Sequence, residues 1–385
     1  MDFSGVIKLA DLNDFLAPAQ NCAVNSTQIR TSTQKTAKVT LSDCLACSGC
    51  ITSAETVLLE QQSLQEFRNK LTLGNVVVSI SQQTLSALAH MYSLTIQQTF
   101  EKLNRFFRGL GVEGVYDITE ARDAVLKASA NEFLERYSRG ALPVVCSECP
   151  GWVCFAEKKA EPAILGFMSR IKTPMQMQKE ILKLDGKYHV GITPCFDKKL
   201  EAAMEAGVDL VLTTTEILNL LEEEQVQLPS IEPLASRSIF TSTNLKPASH
   251  GYAEYILKQA ASELLKESTR LEVRNTRRRD MQEILLISNT SNEVVMKFGL
   301  ASGFQNIQNI VRQLKMGKCE YDYIELMACP TGCLNGGGQP KATRDTIQIQ
   351  EQNLSSLYIE IQNPEIEGYN MEREFRTVTP NLLKW

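Results

Sequence analysis

"YDYIELMACPTGCLNGGGQP", Tyr321 to Pro340, begins as an apolar, aromatic-rich run and ends in two cysteines four residues apart and three glycines. Its first eight residues read as a β-strand, so Cys329 and Cys333 fall where that strand stops. In open parallel sheets, ligands bind in the crevice outside the carboxyl ends of the strands. Two more cysteines share this position: Cys149 in "CSECPGW", just past "LPVVCS" (142–147), and Cys195 in "TPCFDKK", closing "KYHVGITP" (187–194). Three separate strands thus carry four thiols toward one edge. Four thiolates, one per iron, are what a [4Fe–4S] cluster needs. Cysteines scattered through a core have no reason to favour strand ends.

The surrounding pattern supports strands in a larger sheet. "NVVVSIS" (75–81), "VDLVLTT" (208–214) and "EILLIS" (283–288) are further candidate strands. Helical stretches lie between them: in "TPMQMQKEILKL", Thr173 fits an N-cap, Pro174 the first turn and Gln176 the capping-box partner. "SHGYAEYILKQAASELLKE" has apolar residues at helical spacing. Strands alternating with helices argue for an α/β architecture with mainly parallel sheets. A helix-rich, polar bridge near 215–280 is expected to divide the α/β body into two lobes. Residues 1–72 form a separate polar segment, and 73–385 the body and C-terminal tail.

Composition narrows the chemistry. The chain has 385 residues, long enough for two or three domains, with 43% hydrophobic and 22% charged residues. A net charge of −5 gives no overall pull toward nucleic acid or an anionic membrane. The one basic run, "RNTRRRD" (274–280), reads as a solvated loop ahead of a strand, with a localisation signal as the alternative. The N-terminus lacks a basic n-region and long apolar h-region, and no apolar stretch approaches the ~18 residues of a membrane span. The expected location is therefore the cytoplasm, with the nucleus as a second site, where thiols stay reduced. Eleven cysteines, an odd number, fit metal binding better than a disulfide framework. With only three histidines, the centres must be mostly thiolate-ligated, which selects zinc or iron–sulfur.

Local residues suit a bulky centre. Pro150 and Pro330 are expected to stop strand pairing and turn the chain. Gly332 permits a tight turn that lets Cys329 and Cys333 face one point, and Gly336, Gly337 and Gly338 are expected to let backbone approach the cluster. "DCLACSGC" is C-x2-C-x2-C (Cys44, Cys47 and Cys50), spacing that wraps three thiolates round a cubane face. No fourth cysteine follows closely, so the detached Cys22 is expected to complete the set. A structural zinc site is the alternative. Cys146, Cys154 and Cys319 are expected to be structural, as are His90 and His189. One of Lys198 and Lys199 is expected to offset cluster charge.

"CPGW" (149–152), "PCFDKKLEA" (194–202) and "MACPTGCLNGGGQP" (327–340) resemble, in the right order, the three active-site signatures of the iron-only ([FeFe]) hydrogenases. The resemblance implies that Cys149, Cys195, Cys329 and Cys333 hold a [4Fe–4S] cluster, with Cys333 bridging to a diiron subsite in a true hydrogenase. Two residues depart from the pattern: Glu148 stands where a proton-relaying cysteine is usual, and Thr193 where a methionine packs beside the diiron unit. The chain is more similar to the eukaryotic hydrogenase-like branch, the nuclear prelamin A recognition factor-like proteins of cytosolic iron–sulfur protein assembly. "LADLNDFLAPAQNCAV" with "SDCLACSGCITSAETVL", and "GFQNIQNIVRQLKMGKCEYDYIELMACPTGCLNGGGQP", carry that likeness.

It implies two [4Fe–4S] clusters, a two-lobed hydrogenase-like body with the second cluster between the lobes, and no enzymatic activity. It also implies an adaptor role between an early scaffold complex and a late targeting complex. The closing Leu383–Lys384–Trp385 is similar to a tail read by the targeting complex, although Lys384 departs from the usual middle residue. An active hydrogenase and a zinc-binding or structural nuclear interaction protein are the alternatives.

Overall fold

The computed structural model describes residues 58–376 apart from 161, 206, 244, 246, 248–250, 266–267 and 360–365. Cys22, Cys44, Cys47, Cys50 and the Leu383–Lys384–Trp385 tail lie outside the described residues. Nine strands are present among them: β1 Val76–Ile80, β2 Gly114–Asp117, β3 Val144–Cys146, β4 Tyr188–Thr193, β5 Leu210–Thr213, β6 Thr269–Asn275, β7 Met281–Ser288, β8 Val294–Ser302 and β9 Tyr323–Met327. They form two sheets. The first is wholly parallel, ordered β2-β1-β4-β5. The second is ordered β3-β9-β8-β7-β6, parallel from β3 to β8 and antiparallel beyond.

The helices are α1 Leu64–Leu73, α2 Gln82–Tyr92, α3 Ile96–Gly109, α4 Thr119–Ser138, α5 Pro150–Lys159 and α6 Pro162–Leu165. After these come α7 Pro174–Ile181, α8 Asp197–Met204, α9 Thr214–Glu223, α10 Tyr252–Leu264, α11 Phe304–Lys315 and α12 Arg344–Ser355. All five residues of β1 are buried, as a central strand covered on both faces requires. Its core joins Phe67 of α1, Phe100 and Phe107 of α3, and Ile217 and Leu221 of α9. The second sheet packs α4 and α10 on one face, where Phe133 meets Phe298 and Tyr323 edge to face and those two rings stack on each other. Trp152 of α5 and Ile310 of α11 cover the other.

All six strands expected from the sequence are present. Of the three not expected, β2 is a four-residue edge, and β6 is an edge strand whose residues stay mostly exposed, leaving no apolar alternation to read. Strand β8 is interrupted in sequence by Lys297 and Gly299; the glycine makes room for the Tyr321 ring, 3.2 Å from where a Cβ would stand. Thr173 caps α7 through the expected reciprocal box, with the Thr173 N–H donating to Gln176 Oε1 at 2.7 Å.

The 215–280 stretch does not separate two halves of the body. Helix α9 packs on the first sheet, while α10 and β6 serve the second. Strand β3 also joins the second sheet before β4 returns to the first. The chain thus crosses between sheets repeatedly, and ligand loops from both meet. The basic run forms the exposed turn between β6 and β7, as expected.

Candidate metal centre

Each proposed body ligand follows the carboxyl end of a strand. Cys149 comes three residues after β3, Cys195 two after β4, and Cys329 two after β9. Strands β3 and β9 are hydrogen-bonded neighbours, whereas β4 belongs to the other sheet. These three thiols and that of Cys333 line one cavity. Cys149 and Cys195 are buried; Cys329 and Cys333 are partly exposed.

The polypeptide fixes this arrangement by identifiable contacts. Cys149 is the N-cap of α5 with Pro150 in the first turn. The strand ends earlier, at Cys146, so Pro150 starts a helix rather than stopping a strand. Cys195 precedes α8 by two residues, and α5 and α8 pack against each other. Both helices therefore begin at the cavity, where their N-terminal dipoles favour thiolate and cluster charge. Thr331 (φ 63°) and Gly332 (φ 92°) both adopt left-handed backbone, turning Cys333 back toward Cys329. The turn is closed by Gly332 N–H to the Cys329 carbonyl, 3.1 Å, and Asn335 Nδ2 to the Pro330 carbonyl, 3.1 Å. Leu334 then plugs into the core of the first sheet.

The glycines act differently from the sequence expectation. Gly336 does line the cavity, but a Cβ there would land on the Pro194 carbonyl oxygen. At Gly338 a Cβ would stand 2.7 Å from Thr213 Cβ and 3.1 Å from the same carbonyl. The Gly338 N–H donates to Pro194 O at 2.9 Å, and its carbonyl accepts from Thr215 N–H at 3.0 Å. These two glycines press the Cys329–Cys333 loop onto the Cys195 loop.

Electrostatics separate a cluster from a reactive-thiol site. Burial pushes the Cys195 thiol well above its ordinary range, and Asp197, Cys329 and Cys149 add to the shift. Burial, then Glu148 and the other three cysteines, does the same at Cys333. Cys149 is raised by burial and Asp197, while the N–H groups of Ala328 and Trp152 work in the other direction. Thiols with raised pKa values make poor nucleophiles. They become thiolates when metal charge displaces their protons.

The four thiols do not converge as tightly as a single-ion site would. Zinc needs its sulfurs all about 2.3 Å from one point. Among the described residues no three His, Cys, Asp or Glu side chains are close enough to hold an ion that way. The four thiols share the lining of one cavity.

The two lysines after Cys195 separate cleanly. Lys198 lines the cavity and pairs with Glu201 at 2.7 Å. Burial works to lower its pKa, but Glu201 and Glu148 overcome that and raise it. Lys199 turns away to the Gln62 carbonyl, 2.6 Å, and Glu216, 2.7 Å. Glu148 is held above the ordinary carboxyl range by burial, against Arg122 and Lys198, and accepts from Tyr252 Oη at 3.4 Å. Thr193 also lines the cavity.

The remaining sequence candidates fall elsewhere. Cys146 is buried in the core of the second sheet, and Cys319 is partly exposed before β9. Cys154 sits in the middle of α5 against Leu59 and Leu200. His189 is fully buried, its ring between Ser79 Oγ (2.7 Å) and the Gly207 carbonyl (2.9 Å). His90 lies in the last turn of α2 and is partly exposed.

Sequence reasoning missed three supports. Asp197 faces two of the thiols. Ser147 Oγ joins the exits of β3 and β9, donating to Leu326 O at 2.5 Å and accepting from Cys149 N–H at 3.0 Å. Arg373, on a C-terminal strap, donates to the Ser147 carbonyl at 3.3 Å across 226 residues of sequence. The strap is tied by Arg373 N–H to Arg170 O, 2.7 Å, and Lys172 N–H to Met371 O, 2.8 Å. No local pattern marks an arginine for such a distant carbonyl.

Comparison with known proteins shows the family and the fold. The family described as iron only hydrogenase large subunit, C-terminal domain, matches residues 74–337. Protein NAR1 of Arabidopsis thaliana is 40% identical, over 92% of this chain and 87% of the relative. Cytosolic iron-sulfur assembly component 3 of Mus musculus is also 40% identical, over 92% and 88%. The cytosolic Fe-S cluster assembly factor narfl of Xenopus tropicalis is 38% identical over the same shares. An [FeFe]-hydrogenase of Chlamydomonas reinhardtii shares the fold, with a TM-score of 0.63 at 23% identity, covering 76% of this chain and 88% of that one. A structure of [FeFe]-hydrogenase undergoing oxygen inactivation matches with a TM-score of 0.64 at 22% identity, over 78% and 91%.

Proposed function

This chain belongs to the iron-only hydrogenase large-subunit family, and from that premise we propose that it is a non-catalytic [4Fe–4S] protein of cytosolic iron–sulfur assembly. The observation that carries the cofactor is four thiols from three strand ends around one cavity. Cys149, Cys195, Cys329 and Cys333 hold one cluster in the body, and Cys22, Cys44, Cys47 and Cys50 hold the other in the 1–72 segment. Bound there, the body cluster supplies a one-electron or transferable iron–sulfur unit. The chain's own residues keep it partly shielded: Trp152 backs the Cys149 turn, Lys198 offsets negative charge, and Gly336 and Gly338 lock two ligand loops together.

The same cavity argues against hydrogen chemistry. Glu148 and Thr193 line it at the two positions where the hydrogenase pattern calls for cysteine and methionine. The rival reading, an active hydrogenase, draws on the cavity's extension past the thiols toward Ser79 and Gln178. Hydrogen evolution from reduced dye, or infrared bands of CO and CN⁻ ligands, would establish it.

As an adaptor, the protein links the early scaffold complex to the late targeting complex that delivers clusters to apoproteins, with Leu383–Lys384–Trp385 as the contact for the second. It works in the cytoplasm, with the nucleus as a second location, and binds no nucleic acid directly. No helix among the described residues is long and apolar enough to cross a membrane. Depletion is expected to lower the activity of cytosolic iron–sulfur enzymes. Normal activity in depleted cells contradicts the assignment.

A further inference from the structure

The basic turn has no role in the cluster site, yet it stands beside it. Arg277, Arg278 and Arg279 are exposed between β6 and β7. Among the described residues none of their guanidiniums forms an ion pair, in a chain whose net charge is −5. The backbone beneath them is fixed. Asn306 Nδ2 donates to the Arg279 carbonyl at 2.8 Å, and Asp280 holds Arg344 of α12 through both oxygens, at 2.9 and 2.8 Å.

Between this turn and α12 runs a groove. A second hollow continues it to Pro330, Thr331 and Asn335, and the two share Arg279, Asp280, Thr331, Arg344 and Ile347. The groove therefore ends on the loop that carries Cys329 and Cys333, the two partly exposed thiols. On the same hairpin Leu271 and Val273 remain 41% and 46% exposed, adding apolar area to the charged turn.

We propose that this groove docks an acidic segment of a partner protein, whose carboxylates pair with Arg278 and Arg279 in its lining and with the exposed Arg277 at its rim, beside the Cys329–Cys333 loop. Paired there, the partner stands beside the loop of the two partly exposed thiols, Cys329 and Cys333, which would hold the body cluster. The inference rests on the proposed function for the partner's purpose, but not for its docking. Asp345 and Glu351 on the opposite wall repel any anion that crosses the groove, so the segment's carboxylates lie along the arginine turn, and a nucleic-acid phosphate backbone is the rival occupant that the test excludes. Those two side chains would accept basic residues of a mixed peptide. The chain's own residues 1–57 carry five acidic and four basic side chains, too even a mixture to complement three successive arginines. Opposed charges of this kind speed encounter and set register.

The test uses full-length, cluster-loaded protein beside Arg277→Glu/Arg278→Glu/Arg279→Glu, with iron, sulfide and circular dichroism measured on both. Anisotropy of fluorescein-labelled octaglutamate is expected to show saturable, salt-sensitive binding to the wild type, weakened at least about tenfold by the reversal. Arg277→Ser, Arg278→Ser and Arg279→Ser each give the same readout in smaller steps should the reversal disturb the turn. Equal octaglutamate binding by both proteins, binding by neither, or tighter binding of a short single-stranded DNA overturns the proposal.

In cells, p-benzoylphenylalanine at Arg277 is expected to cross-link to an acidic segment of another protein. Adducts only with residues 1–57 or with a second copy of this chain overturn it. The reversed variant is expected to retain its iron and sulfide while failing to sustain cytosolic iron–sulfur enzymes. Normal enzyme activity with the variant, where depletion lowers it, overturns the docking and leaves the assembly role standing.

Discussion

Gly336→Ala tests whether the ligand loops hold the cluster by pressing on each other. The added Cβ would meet the Pro194 carbonyl oxygen and stand 3.0 Å from its carbon and 3.1 Å from the Cys333 carbonyl oxygen. Carbon atoms rest about 3.5–4.0 Å apart, so one loop must move by roughly 0.5–1 Å. Metal–ligand distances tolerate about 0.2 Å. The displaced loops carry Cys195 on one side and Cys333 on the other, so that movement falls directly on two of four ligands. Overpacking of this size costs about 1–3 kcal/mol, a factor of roughly 5–150 in cluster retention at 1.4 kcal/mol per decade. The assay is iron and sulfide per chain after anaerobic reconstitution, with the rate of iron loss to a chelator and the melting of the apoprotein. Gly109→Ala is the control, since nothing lies within 4 Å of its Cβ and its φ is ordinary. Full loading and wild-type release from Gly336→Ala would refute the reasoning.

Lys198→Met should lower the reduction potential of the body cluster, because the cation it removes favours the reduced, more negative state. One charge about 7–14 Å away at an effective dielectric of about 20 is worth ~50–100 mV. Lys198→Arg should retain the potential, and an unchanged value in Lys198→Met would discard the assignment. Arg373→Ala removes a charged hydrogen bond to the Ser147 carbonyl, worth about 1.5–3 kcal/mol. It should speed chelator access while leaving the cluster's spectrum intact; equal rates would show that the strap does not hold the Cys149 turn. His189 has its pKa lowered to about 4 by burial, from an ordinary value of about 6.5. Above pH ~6.5 it is neutral in both folded and unfolded chains. As pH falls toward 4 only the unfolded chain gains the proton, so stability should drop by on the order of 3 kcal/mol. Urea melts of apoprotein across that range should show a shallower fall for His189→Gln, and parallel curves would reject the effect.

Much of the site was legible because its chemistry is local. A strand running into a cysteine, a proline and a glycine turn is visible over a dozen residues, and Cys149, Cys195, Cys329 and Cys333 all lie where that pattern places them. The Thr173–Gln176 box was equally readable, since both partners are three residues apart. What escaped depends on distant packing. Strand β6 exists because β7 pairs with it, and its own polar sequence says little. Gly336 and Gly338 signalled close approach correctly but not what approached, because Pro194 and Thr213 come from the other sheet. Asp197 and Arg373 gained their places only when two sheets closed around the cavity. The 215–280 stretch looked like a divider because helices and polarity cluster there, whereas sheet membership is set by strand pairing along the whole chain.

The central claim is that this chain is built to carry two cubanes, one of them in the cavity of the body. Iron and acid-labile sulfide on anaerobically purified protein, with EPR of the reduced form, test it most directly. The wild type should hold about eight irons and eight sulfides. Cys333→Ala and Cys44→Ala should each remove a different signal while the protein remains present at comparable abundance. Zinc without sulfide, or loss of the same signal in both variants, would contradict the account.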